Sequence, residues 1–264
     1  MVGNTAMLAE LALYATARTS RALRERGLVG DAVALWSRAT RRRAAWAPHE
    51  TRCHAAVRGS VTDLPHCRTA VVLGSGLLRD VPVRELAAAF ARVVLVDAVH
   101  LLPARLAARR HGCDLLVADL AAPAGLARML DGVSPIDLVI SANLLSQLPI
   151  SLLREVEDDG AGRRALQAAH LAALEACGAR VCLLSDTLYR DVARDGTVLE
   201  EVALVDPDLL PPADEAWDWE VAPRGEIARG FARVHRAAVW RDLAAARSAT
   251  AGRERRDVDG PAAD

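Results

Sequence analysis

The stretch Val71-Val72-Leu73-Gly74-Ser75-Gly76-Leu77-Leu78-Arg79-Asp80 decides the fold. Three aliphatic residues run into two glycines one residue apart, and a helix-like pattern follows. In a parallel α/β sheet this is the junction where a nucleotide-sized ligand is met. The strand delivers the backbone, glycines allow close approach, and the next helix presents its positive N-terminal end. About twenty residues on, Arg92-Val93-Val94-Leu95-Val96-Asp97 is a second apolar run, and it ends in an acid. In nucleotide-binding α/β folds an acid at that place accepts hydrogen bonds from ribose hydroxyls. Asp97 is read either so, or as the cap of the segment starting near Val99.

Outward from this junction, short apolar runs alternate with helical patterns. Strands are expected at 70–73, 93–96, 115–117, 136–140 and 180–184, with helices between them. Runs apolar on both faces are the pattern of a parallel sheet covered on both sides, so the fold class is α/β, doubly wound. After the fifth strand, residues 189–193 and 198–202 around Asp195-Gly196 read as a hairpin. Residues 217–221 and 231–243 are the last candidate strands. Residues 1–64 form a helical segment, with Ala6, Leu8, Leu11 and Leu13 on its first apolar face. Pro65 marks the boundary to the α/β part at 65–243. Residues 244–264, with almost no large apolar side chain, read as a frayed, disordered tail.

Composition narrows the function classes. The 264 residues are 52% hydrophobic with a formal net charge of -1, giving no global attraction to nucleic acid or membrane. Charge is uneven: Met1 to Arg68 carries 11 Arg against 5 acids, and Ser185 to Glu220 carries 11 acids against 2 Arg. The run Arg41-Arg42-Arg43 is read as a solvated helix face, or as a lid or entry surface for an anionic substrate or nucleic acid. Five widely spaced cysteines and no secretory pattern in residues 1–10 lead us to expect reduced thiols in a cytoplasmic protein. No apolar run approaches the roughly 20 residues that cross a bilayer. Cys53-His54 and His66-Cys67 lack zinc-ligand spacing, so no metal is expected.

Other candidates stand at strand ends, where ligands of open α/β sheets sit. Asp119 closes the third strand and either accepts from an adenine amino group or caps the next turn. Asn143, after Ser141, either meets the reacting end of a ligand or holds its own loop. His100 and His170 are conceivable bases but equally ordinary structural histidines. Trp217 and Trp219 either pack the sheet end or wall a substrate pocket.

Together these segments resemble the class I S-adenosylmethionine-dependent methyltransferases, in particular an uncharacterised bacterial subgroup. The glycine loop resembles the first motif, Leu95-Val96-Asp97 the second, Ala118-Asp119 the adenine-contacting acid, and Asp137 to Leu145 the fourth motif beside the methyl group. The resemblance implies a Rossmann-like, mostly parallel seven-stranded sheet with the helical segment as a cap. It implies S-adenosylmethionine held by Gly74, Ser75, Gly76, Asp97, Ala98, Asp119, Leu120 and Asn143. The methyl acceptor is unidentified: a small molecule is favoured over nucleic acid or membrane, and oligomeric state is left open. Two positions depart from the pattern, with Val72 where an acid is usual and Leu78 where a third glycine is usual. A dinucleotide fingerprint would instead place that glycine at Arg79. The rival readings are a non-catalytic binding module on the same fold and an NAD-linked oxidoreductase.

Overall fold

The computed structural model describes residues 2–121, 123–152 and 160–258. Four helices come first: α1 (Val2–Thr16), α2 (Arg21–Glu25), α3 (Leu28–Arg41) and α4 (Arg43–Val61). The α/β part then alternates β1 (Thr69–Leu73), α5 (Val83–Ala89), β2 (Arg92–Asp97), α6 (Leu102–His111), β3 (Asp114–Val117), α7 (Pro123–Val133), β4 (Leu138–Ala142), α8 (Leu144–Leu152), α9 (Ala161–Ala176) and β5 (Arg180–Ala193). It closes with β6 (Val198–Ala203), β7 (Glu215–Ala222), β8 (Phe231–Trp240) and α10 (Leu243–Val258).

The strand order is β3-β2-β1-β4-β5-β8-β7, with β6 off this path on β5. Strands β1 to β5 pair in parallel, and β8 runs antiparallel to both β5 and β7. The expected seven strands lie on the path, and β6 makes an eighth. It exists because β5 runs nine residues past the expected end at Leu184, so the hairpin is an extension of β5.

The apolar runs fill two faces by simple alternation. Val72, Leu95, Ile140 and Leu184 point to one core, and Val71, Leu73, Val94, Val139 and Leu183 to the other. The first core takes Cys53, Ala56 and Val57 of α4 together with Leu86 of α5, so the last helix of the N-terminal segment shares the sheet's own core. The second takes Leu126 and Leu130 of α7, Leu171 and Leu174 of α9, and Leu243. Each such leucine, fully buried, contributes roughly 1.5–3 kcal/mol.

Three expectations are corrected. The segment after 243 carries α10, seeded by buried Leu243 and tied back by Arg247 to Glu175. Alanine and arginine are strong helix formers, and Ala246 packs against the second core while Arg247 also donates to the Leu209 carbonyl. On α1, Leu8 and Leu11 are exposed, while Leu13 is buried. Strand β4 begins two residues later than expected, because the Asp137 carboxylate accepts the Arg68 and Thr69 backbone N–H groups and pairs with the Arg68 guanidinium.

Candidate active site

At the carboxyl ends of β1 to β4 the chain leaves a cavity of about 620 Å³, within the range of about 300–1,000 Å³ usual for small-molecule sites. Gly74, Ser75, Gly76, Asp97, Ala98, Asp119, Leu120 and Asn143 all line it. The glycine loop is held by Gly74 and Ser75 N–H groups donating to the Val96 carbonyl at 3.0 and 3.2 Å. Gly74 is left-handed, with φ 70°, and a Cβ there would lie 2.7 Å from the Ala142 carbonyl oxygen. That position therefore requires glycine.

The two departures from the family pattern have structural answers. Val72 is fully buried between Leu95 and Ile140 of the neighbouring strands. Leu78 takes φ 59°, the left-handed conformation a glycine would supply, and its side chain packs against the first core. Arg79 turns toward α4 and pairs with Glu50, while its carbonyl meets His54 Nε2 at 2.8 Å. Both Leu78 and Arg79 edge the cavity and leave its volume open.

The acids at the strand ends are differently engaged. Asp97 Oδ2 accepts the Gly76 N–H at 2.6 Å and Oδ1 accepts the Val99 N–H at 3.2 Å. Burial pushes this carboxyl up, and the backbone donors only partly oppose it. Asp119 Oδ1 accepts the Ala121 N–H at 3.1 Å, so it does cap its turn, and Oδ2 pairs with Arg26 at 2.6 Å. The helical segment is thereby joined to the end of β3. Asn143 adopts φ 53°, donates Nδ2–H to Asp80 Oδ2 at 3.0 Å, and keeps its Oδ1 buried without a hydrogen-bond partner among the described residues. Ser75 Oγ is buried and unpartnered in the same sense.

A second group of side chains, mostly outside the sequence-based candidates, walls the cavity opposite the glycine loop. Trp46 stands edge-on to Trp219 at 5.2 Å, and Tyr189, Arg233 and His235 complete the wall. Trp219 thus faces the cavity, whereas Trp217 is buried behind it. Asp186 accepts from Trp219 Nε1–H at 3.0 Å through one oxygen and lies 2.7 Å from His235 Nδ1 through the other. A register shift in the β5–β8 pairing falls between Asp186 and Leu188, the kind of bulge that re-aims a side chain beside a site. Arg233 makes a bidentate pair with Asp191 and lies 4.0 Å over the Tyr189 ring.

His49, Cys53 and Asp80 bring ligand-type atoms within 4.8 Å of one another. Their hydrogen-bond directions describe a polar chain. Trp217 Nε1–H donates to His49 Nδ1 at 3.1 Å, so Nε2 carries the imidazole hydrogen and faces Asp80 Oδ1 at 3.6 Å and Cys53 Sγ at 3.5 Å. An ion on Nε2 would displace that hydrogen to Nδ1 and break the Trp217 hydrogen bond. Burial pushes the Asp80 carboxyl up, but His49 and the Asn143 amide outweigh it and hold the group below the usual carboxylate range. Burial also pushes the Cys53 and Cys182 thiols well up, Cys182 to about 12.

The histidines considered from sequence lie elsewhere. His100 is fully buried, with Nε2 on the Leu116 carbonyl at 3.0 Å, and His170 is buried with Nε2 3.2 Å from Ser141 Oγ. Neither lines the cavity. Arg41 and Arg42 pair with Glu226 of the β7–β8 loop, so that end of the basic run is a clasp, while Arg41 and Arg43 remain on a solvated face. Asp186 had a sequence signal, as the acid closing the fifth strand. His235 had a weaker one, sharing a period-two face with Phe231 and Arg233.

No family model matches the chain, and no curated protein matches it. Among solved structures it is similar to the Burkholderia thailandensis 1,6-didemethyltoxoflavin-N1-methyltransferase with bound 1,6-didemethyltoxoflavin and S-adenosylhomocysteine. Identity is 15%, coverage 79% of this chain and 89% of that one, and the TM-score 0.37. It is similar to a glycopeptide N-methyltransferase complexed with S-adenosyl-L-methionine at 10% identity, 70% and 92% coverage and TM-score 0.36. An rRNA methylase from Streptococcus thermophilus follows at 11%, 70% and 95%, and 0.34. No helix among the described residues is long and apolar enough to cross a membrane. The strand order, the antiparallel β8 between β5 and β7, and the glycine loop after β1 give this chain a doubly wound, mostly parallel α/β fold of the Rossmann-like kind.

Proposed function

We propose that the protein binds S-adenosylmethionine and transfers its methyl group to a small-molecule acceptor. One observation carries the reading. Four strand ends converge on one cavity with the glycine loop, Asp97, Asp119 and Asn143 in its lining. The residues suit the group. Gly74 and Gly76 line the cavity with bare backbone, and the buried Ser75 Oγ and Asn143 Oδ1, unpartnered among the described residues, are polar atoms in want of a ligand.

On this reading the glycine loop admits the methionine part, Asp97 holds the ribose hydroxyls, and Asp119 with Ala98 and Leu120 meets the adenine. When bound, S-adenosylmethionine supplies a sulfonium methyl carbon whose C–S bonding pair stays with sulfur on transfer. The chain's own task is then to orient a nucleophile and exclude water. Asn143, fixed by Asp80, stands at the transfer end, and the Trp46–Trp219 wall faces the acceptor.

Calorimetry with S-adenosylhomocysteine tests the reading. We expect saturable binding, weakened by Asp97→Asn. An absence of measurable heat at millimolar ligand would refute it and favour a non-catalytic module.

A further inference from the structure

We propose that His235 is the proton acceptor for a hydroxyl group carried on a planar aromatic acceptor, with Asp186 as its positioning residue. The inference rests on the methyl-transfer reading and concerns the wall opposite the glycine loop. Asp186 is an acceptor, so the hydrogen between it and His235 resides on Nδ1, and the lone pair is left on Nε2. His235 lines the cavity, and Nε2 has no hydrogen-bond partner among the described residues. The Trp219 N–H on the second Asp186 oxygen fixes that carboxylate, and Trp219 itself is stacked at 3.9 Å on His49. The imidazole is thus oriented and its tautomer set, the arrangement a general base requires.

The surroundings specify the acceptor class. Trp219, Trp46 and Tyr189 line the cavity, with Trp219 stacked on His49 and the flat Arg233 guanidinium lying on Tyr189. Aromatic walls of this kind favour a planar ring. Arg38 also lines the cavity. Its Nε is buried without a hydrogen bond among the described residues and forms only a long ion pair with Glu226 Oε1, at 3.9 Å. A ring oxygen bearing negative charge would meet that donor. An ordinary imidazole titrates at about 6.5 and a phenol at about 10, close enough for proton transfer between them within a positioned pair. An aliphatic alcohol ionises closer to water, at about 16, out of reach of this pair.

In the step, the acceptor O–H bond breaks, its proton forms a bond to His235 Nε2, and the electron pair stays on oxygen as the nucleophile. The imidazolium then returns the proton to solvent. Asp186 and the Tyr189 ring, with Arg233 over it, lie against His235, and Arg26, Arg38 and Arg79 are further arginines of the lining, so ionisation by the arginines alone is the competing account.

The test uses para-nitrophenol, 2-naphthol and benzylamine on the full chain without cofactor, so it does not depend on S-adenosylhomocysteine binding. The nitrophenolate absorption band reports ionisation directly. One pH unit below the free phenol's own midpoint, wild type should raise the ionised fraction of bound para-nitrophenol at least 3-fold. His235→Gln should abolish this rise while keeping the melting temperature. Asp186→Asn should reduce it with smaller loss of affinity. An equal ionised fraction in wild type and His235→Gln overturns the proposal in favour of the arginines. So does absence of saturable binding by either hydroxyaromatic, or tighter binding of benzylamine. Calorimetry on the same preparations reports separately whether the methyl-transfer reading holds.

Discussion

Replacing Gly74 by alanine separates two costs that the glycine loop carries. The first is conformational. Gly74 has φ 70°, and a residue with a Cβ loses about 1–2 kcal/mol in the left-handed region. The second is contact. The added Cβ would sit 2.7 Å from the Ala142 carbonyl oxygen and 3.4 Å from Leu144 Cβ. That oxygen belongs to β4, whose position is fixed by pairing with β1 and β5 on either side. The clash can be relieved only by moving the loop or the strand end, an overpacking cost of about 1–3 kcal/mol. Gly112 offers the control: it has φ 68° and nothing within 4 Å of its added Cβ. Gly112→Ala should therefore lose about 1–2 kcal/mol and Gly74→Ala about 2–5 kcal/mol. Urea unfolding with both variants measures the difference through the midpoint at unchanged slope. Equal losses in the two variants would refute the claim that close approach, as distinct from backbone conformation, demands glycine after β1.

Further expectations follow from the same geometry. Burial lowers His170 to about 4, below the ordinary imidazole value, so the unfolded chain binds the proton more readily. Stability is then fully present above pH 6.5 and falls as pH drops toward 4, by roughly 3 kcal/mol; in His170→Gln, unfolding measured across that window should lose this slope. Asp97→Asn turns one of two backbone-bonded oxygens into a donor facing the Gly76 or Val99 N–H, and calorimetry should show S-adenosylhomocysteine affinity reduced about 10- to 100-fold, as for loss of 1.5–3 kcal/mol in charged hydrogen bonds. Glu226→Gln releases Arg41 and Arg42, both partly exposed, so urea unfolding should register only about 1 kcal/mol, whereas limited proteolysis of the β7–β8 loop should accelerate clearly.

The parts of the fold legible in sequence are those made by contiguous residues. β1 and β2 are apolar runs because both their faces are covered, β3 is a short, half-buried run at the sheet edge, and a glycine or an acid stands at or just after each end. The eight candidate positions gather at one cavity for the same reason: a parallel sheet sends all its strand ends to one side. What escaped was set by distant partners. The continuation of β5 past Leu184 depends on β8, which pairs with it from Leu183 to Ala193. His235 acquires meaning only when β8 brings it to Asp186, 49 residues away. Arg41 and Arg42 look solvated until Glu226 is beside them. The pairing of Arg26 with Asp119 spans 93 residues and leaves no local pattern at either end. Leu78 shows the opposite case, a residue whose type argues against a left-handed backbone that the fold imposes nonetheless.

The Trp46–Val221 hydrogen bond and the Arg41–Glu226 pair join positions 175 and 185 residues apart. They have a consequence for how the protein is made. A nascent chain released only as far as β5 holds the glycine loop and the ends of β1 to β4, yet lacks Trp219, Arg233 and His235 of the opposite wall. Until β7 and β8 leave the ribosome and dock against α3 and α4, that half-built cleft is an open apolar trough. Closure of loops this long is costly in chain entropy, so the wall should assemble late. The newly synthesised chain would gain its ligand chamber in one terminal event, and would need protection from association before it.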